Sequence, residues 1–60
     1  MRVLTINELL RLTRKELCSL AAHFTASLSN YPEGSPERAT ALINLLNIRS
    51  VLARRDFSPG

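Results

Sequence analysis

From Ser35 to Arg55 apolar residues recur at three- and four-residue steps, a period that predicts one long helix over residues 36–55. Its start is marked: Ser35 has a hydroxyl for the free N–H groups of the first turn, Pro36 suits the first helical position, and Glu37 suits the positive end of the dipole. Turning about 100° per residue, Ala41, Leu45, Ile48 and Leu52 form one row, with Ala39, Leu42, Leu46 and Ala53 beside it. Thr40, Asn44, Asn47 and Arg54 fall opposite and are expected in solvent. Ile43 lies at the edge of the apolar arc and Val51 on its polar side, so both are surplus to a monomer core. They predict a homodimer or a partner groove. Arg38 and Arg49 project within the apolar arc. Two readings stand: their stems cover apolar surface while the guanidinium reaches water or Glu8 or Glu16, or they anchor the margin of a binding surface.

Two shorter helices precede this one. Thr5 followed by Glu8, and Thr13 followed by Glu16, are capping boxes eight residues apart, which predicts helices near 6–11 and 14–29 with a corner at Leu12-Thr13. In the second, Leu17, Leu20, Ala21, Phe24 and Leu28 share a stripe, while Lys15, Ser19, Ala22 and Ala26 face away and Cys18 lies on the flank. The run Ser29-Asn30-Tyr31-Pro32-Glu33-Gly34 breaks the helix, with Tyr31 as a partly buried cap. Residues 56–60 read as a tail whose Phe57 docks on the core or reaches a partner. The expected fold is all-α: one domain over residues 1–60, a short N-terminal helix closing one end of an antiparallel hairpin of two longer helices. Its expected core is Leu9, Leu17, Leu20, Phe24, Leu28, Leu42, Leu45, Leu46, Ile48 and Leu52.

Composition sharpens the picture in two respects. A chain of 60 residues buries a modest share of its surface, and its single cysteine allows no intrachain disulfide, so self-association is the expected reinforcement. The charge of +3 is basic but dispersed over Arg2, Arg11, Arg14, Lys15, Arg38 and Arg49, with only Arg54-Arg55 adjacent. Three aromatic residues are too few for a base-stacking platform. No stretch is long enough to span a bilayer and none has the form of a signal peptide, so a cytoplasmic location is expected.

No motif points to catalysis. The glutamates sit where helix starts and a turn account for them, His23 falls on a polar side, and Cys18 has no resolving partner. No cofactor or metal is expected, since one cysteine and one histidine are too few for a structural zinc site. A short helix, a corner and a longer helix also admit a helix-turn-helix reading, in which Arg14, Lys15, Arg54 and Arg55 contact nucleic acid.

Three runs carry a resemblance: Leu12-Thr13-Arg14-Lys15-Glu16-Leu17-Cys18, Pro32-Glu33-Gly34-Ser35-Pro36-Glu37-Arg38, and Asn47 through Arg55. Together they resemble short helical proteins of proteobacterial mobile genetic elements. The resemblance implies a protein that binds another protein, as conjugation regulators, antiactivators and anti-CRISPR inhibitors do. The +3 charge departs from acidic DNA mimicry, so the expected mode is occlusion of a partner surface or of a nucleic-acid path. Arg38, Ile43, Arg49, Val51, Arg54 and Arg55 are the expected contacts.

Overall fold

The computed structural model describes residues 2–56, which form three α-helices and a short 3-10 turn, with no strand among them: α1 (Ile6–Leu10), α2 (Arg14–Ser27), the 3-10 turn (Leu28–Asn30) and α3 (Pro36–Asp56). Phe57 and the tail expected after it lie outside the described residues. Both capping boxes form. The Thr5 hydroxyl accepts from the Glu8 N–H at 3.2 Å while Glu8 Oε1 accepts from the Thr5 N–H at 3.2 Å; the Thr13–Glu16 pair repeats this at 3.1 and 2.9 Å. Each cap satisfies donors that a helix start otherwise leaves to water, an effect worth about 1 kcal/mol. Because the second cap begins three residues after α1 ends, the chain must turn at Leu12 and Thr13.

At the other end of α2 the chain tightens into the 3-10 turn and reverses through Pro32–Ser35. Gly34 has φ of 80°, a left-handed conformation that disfavours any side chain. Ser35 then caps α3 as expected, its hydroxyl accepting from the Arg38 N–H at 3.2 Å.

Two arginines fix how the helices lie. Arg38 Nη1 donates to the carbonyls of Leu28 and Tyr31, at 3.0 and 3.3 Å, which ties the start of α3 to the end of α2. Arg55 Nη2 donates to the Leu10 carbonyl at 3.0 Å, which ties the end of α3 to the end of α1. Hence α2 runs antiparallel to α3, while α1 lies along its C-terminal half. The core at this junction comprises Leu9, Leu17, Phe24, Ala41, Ile48 and Val51, with Leu20, Leu28, Tyr31, Leu45 and Leu52 packed around it.

The inward face of α3 differs from the expected one by roughly one residue's step, about 100°. Leu42 and Leu46, expected in the core, are 43% and 63% exposed; Val51 and Asn44, expected on the surface, are fully buried. The cause lies at the N-terminus. Residues 2–4 pass extended across the middle of α3, where no strand can pair their backbone, and two asparagine side chains supply the missing partners. Asn44 Oδ1 accepts from the Leu4 N–H at 2.7 Å and its Nδ2 donates to the Arg2 carbonyl at 3.1 Å. Asn47 Nδ2 donates to the Leu4 carbonyl at 2.9 Å. A buried amide whose donor and acceptor are both used carries no desolvation debt, so α3 can turn Asn44 inward. Turning it inward takes Val51 along, two turns further on the same side, and swings Leu42 and Leu46 out.

Candidate functional site

The turned helix carries two stripes on opposite sides. Inward, Ala41, Asn44, Ile48, Val51 and Arg55 follow alternating steps of three, four, three and four residues, the spacing of a packed helical seam. Outward, Ala39, Leu46 and Ala53 lie seven residues apart, with Leu42 and Ile43, then Arg49 and Ser50, between them. All seven outward residues are exposed, and Leu42, Ile43 and Leu46 are among the chain's exposed large apolar side chains. At the N-terminal end this face opens on a shallow depression of about 310 Å³ lined by Glu33, Gly34, Ser35, Arg38, Ala39 and Leu42. A row of large apolar groups on water, opposite a row that already forms the core, is what a helix needs to join two packed layers.

The contacts expected from sequence divide accordingly. Ile43, Arg49 and Arg54 are exposed, with Ile43 and Arg49 on the outward face. Val51 is removed from the set, because a side chain with no exposure cannot touch a partner. Arg38 is half-buried and holds the turn rather than Glu8 or Glu16; Arg55 is engaged with the α1 carbonyl. The residues missed are Ala39, Leu42, Leu46 and Ala53. Their signal is the seven-residue repeat, hidden because hydropathy places Leu42 and Leu46 in the core with Ala39 and Ala53 beside them on the apolar arc.

Charge is sorted along the molecule. The α1–α2 corner and the end of α3 bring Arg11, Arg14, Lys15, Arg54 and Arg55 to one end with Glu16 among them, whereas Glu33 and Glu37 lie at the other beside Arg38. The four residues of the nucleic-acid reading, Arg14, Lys15, Arg54 and Arg55, therefore share an end, although Arg55 already serves the Leu10 carbonyl. Among the described residues His23 is exposed with its ring edge-on to Phe24, and Cys18 is an exposed free thiol. Among the described residues no group of His, Cys, Asp or Glu could hold a metal ion, and no helix is long and apolar enough to cross a membrane.

One ion pair reinforces the N-terminal segment. Arg2 holds Glu8 through both guanidinium nitrogens, one at 2.9 Å, and together with the Thr5 N–H this lowers the Glu8 carboxyl from 4.5 to about 2. A carboxylate depressed in the folded state contributes stability above its ordinary range and loses it as pH falls through the folded value. Between pH 4.5 and about 2 the wild type is therefore expected to lose more thermal stability than Glu8→Gln, read from melting midpoints across that range. Parallel curves would remove the ion pair from the account.

No protein-family model, curated protein or solved structure matches this chain.

Proposed function

We propose that this chain is a small non-enzymatic regulator or inhibitor that works by binding protein through the outward face of α3, so occluding a surface of its partner. The observation that carries this reading is the exposed apolar row of Leu42, Ile43 and Leu46 on the side of α3 away from the core. Among the described residues Leu42, Ile43 and Leu46 stand outside the packed core and reach water together on one face. The resemblance to mobile-element proteins supplies a setting, a bacterial cytoplasm in which conjugation regulators, antiactivators and anti-CRISPR inhibitors act on protein complexes. Arg49 flanks the row and Arg54 lies just beyond it, suited to a polar rim.

A second reading has its own support. Arg11, Arg14, Lys15 and Arg54 gather at one end, as expected of a small regulator that binds DNA phosphates. Salt separates the two. Wild type and a Leu42→Glu variant are immobilised, exposed to host lysate and washed at low and high ionic strength. The leading reading expects a discrete protein retained by the wild type at high salt and absent from the variant. Nucleic acid retained equally by both and released by salt would replace it with the DNA reading, and retention of neither would reject both.

A further inference from the structure

We infer that the protein seated on the outward face of α3 is a second copy of this chain, packed antiparallel about Leu46. The inference rests on the reading of that face as a protein-docking surface and names its occupant.

Self-complementarity is the first argument. α3 spans Pro36–Asp56, so Leu46 is its central residue, and Ala39 and Ala53 stand seven residues to either side of it on the outward face. A twofold contact brings each residue of one copy against a residue equally far on the other side of the axis in its partner. About an axis at Leu46, the two Leu46 side chains meet and Ala39 of each copy faces Ala53 of the other. Leu42 then lies beside Arg49, whose stem covers it, and Ile43 lies beside Ser50. The small residues fall at both ends and the large one at the middle, which lets two helices approach closely along their full length.

Charge is the second, and it selects the direction. Glu33 and Glu37 lie at one end of the molecule with Arg38, whose guanidinium is turned to the Leu28 and Tyr31 carbonyls, and Arg11, Lys15 and Arg54 outnumber Glu16 at the other. Antiparallel packing sets the acidic end of one copy beside the basic end of the other and opposes the two helix dipoles; parallel packing would put like charge on like charge. Size is the third argument. The described residues bury only six apolar side chains, with no disulfide to reinforce them, and so gain from burying Leu42, Ile43 and Leu46 against a second copy. An external target that binds the same face displaces the second copy, so target capture and dimerisation exclude each other.

Sedimentation equilibrium from low micromolar to high micromolar concentration tests the assembly. Wild type is expected to shift from monomer to dimer, and Leu46→Glu, which places two carboxylates face to face at the axis, to weaken dimerisation at least about a hundredfold while keeping its helical circular dichroism. Orientation is tested in a Cys18→Ser background. Leu46→Cys should cross-link to itself on oxidation, and Ala39→Cys should cross-link with Ala53→Cys but not with itself. A wild type that stays monomeric throughout, a dimer indifferent to Leu46→Glu, or self-linking of Ala39→Cys overturns the proposal. Should the protein be monomeric while Leu42→Glu still abolishes capture of a lysate protein, only the identity of the occupant fails and the docking face stands.

Discussion

Val51→Asp is expected to abolish the folded state. Val51 has no exposure and packs with Leu9, Leu17 and Ile48, so a carboxylate there must leave water. An unpaired buried charge costs several kcal/mol, whereas a domain of this size rarely holds more than about 3–5 kcal/mol in its core. The cost exceeds the reserve. Arg55 lies one turn further along α3 and could swing toward the new carboxylate, but doing so gives up its bond to the Leu10 carbonyl and loosens α1. Far-ultraviolet circular dichroism should show the helical signal lost. Leu46→Glu, five residues earlier and 63% exposed, should retain it. A Val51→Asp protein that melts cooperatively near the wild-type temperature would mean that α3 faces the other way.

Asn44→Leu is expected to be the most destabilising change among the polar residues, despite matching the asparagine in heavy-atom count and branching. It strips the Leu4 N–H and the Arg2 carbonyl of their partners at once. A buried group left unsatisfied costs about 1–3 kcal/mol; both bonds are part-buried, so about 2–6 kcal/mol is the upper bound for the pair, set against the smaller benefit of one more apolar side chain. Asn47→Leu removes a single bond from a half-buried position and should cost less than half as much. Urea denaturation gives the difference. Amide exchange at Leu4 locates it, because the released segment loses its protection before the helices do. Equal stability of the wild type and Asn44→Leu would show that the asparagine clamp contributes nothing.

The fold was legible in the sequence wherever the signal was local. Thr5 with Glu8, Thr13 with Glu16 and Ser35 with Pro36 lie within three residues of what they cap, and these pairs placed every helix start. The connector was readable for the same reason, since Pro32 and Gly34 act on their own backbone. The orientation of α3 was not local. Apolar residues surround much of that helix, so side-chain hydropathy alone favoured turning Leu42 and Leu46 inward. What decides instead is the pairing of Asn44 and Asn47 with backbone groups 40 or more residues away, which hydropathy reads as solvent exposure. The same preference hides the outward face, because hydropathy assigns Leu42 and Leu46 to the core and Val51 to the polar side. One feature of the pattern did hold the answer. Ala41, Asn44, Ile48 and Val51 keep the three–four spacing of a packed seam, and Ala39, Leu46 and Ala53 keep the seven-residue spacing of another.

That α3 has two packing faces, one filled and one offered, is tested most directly by methyl NMR with a soluble paramagnetic chelate, recorded as a dilution series. In dilute solution the Leu42, Ile43 and Leu46 methyls should broaden strongly while Ile48 and Val51 stay sharp. As concentration rises the Leu46 methyls should regain protection as the second copy covers them. Broadening of Val51 with Leu46 sharp at every concentration would contradict the account at its root.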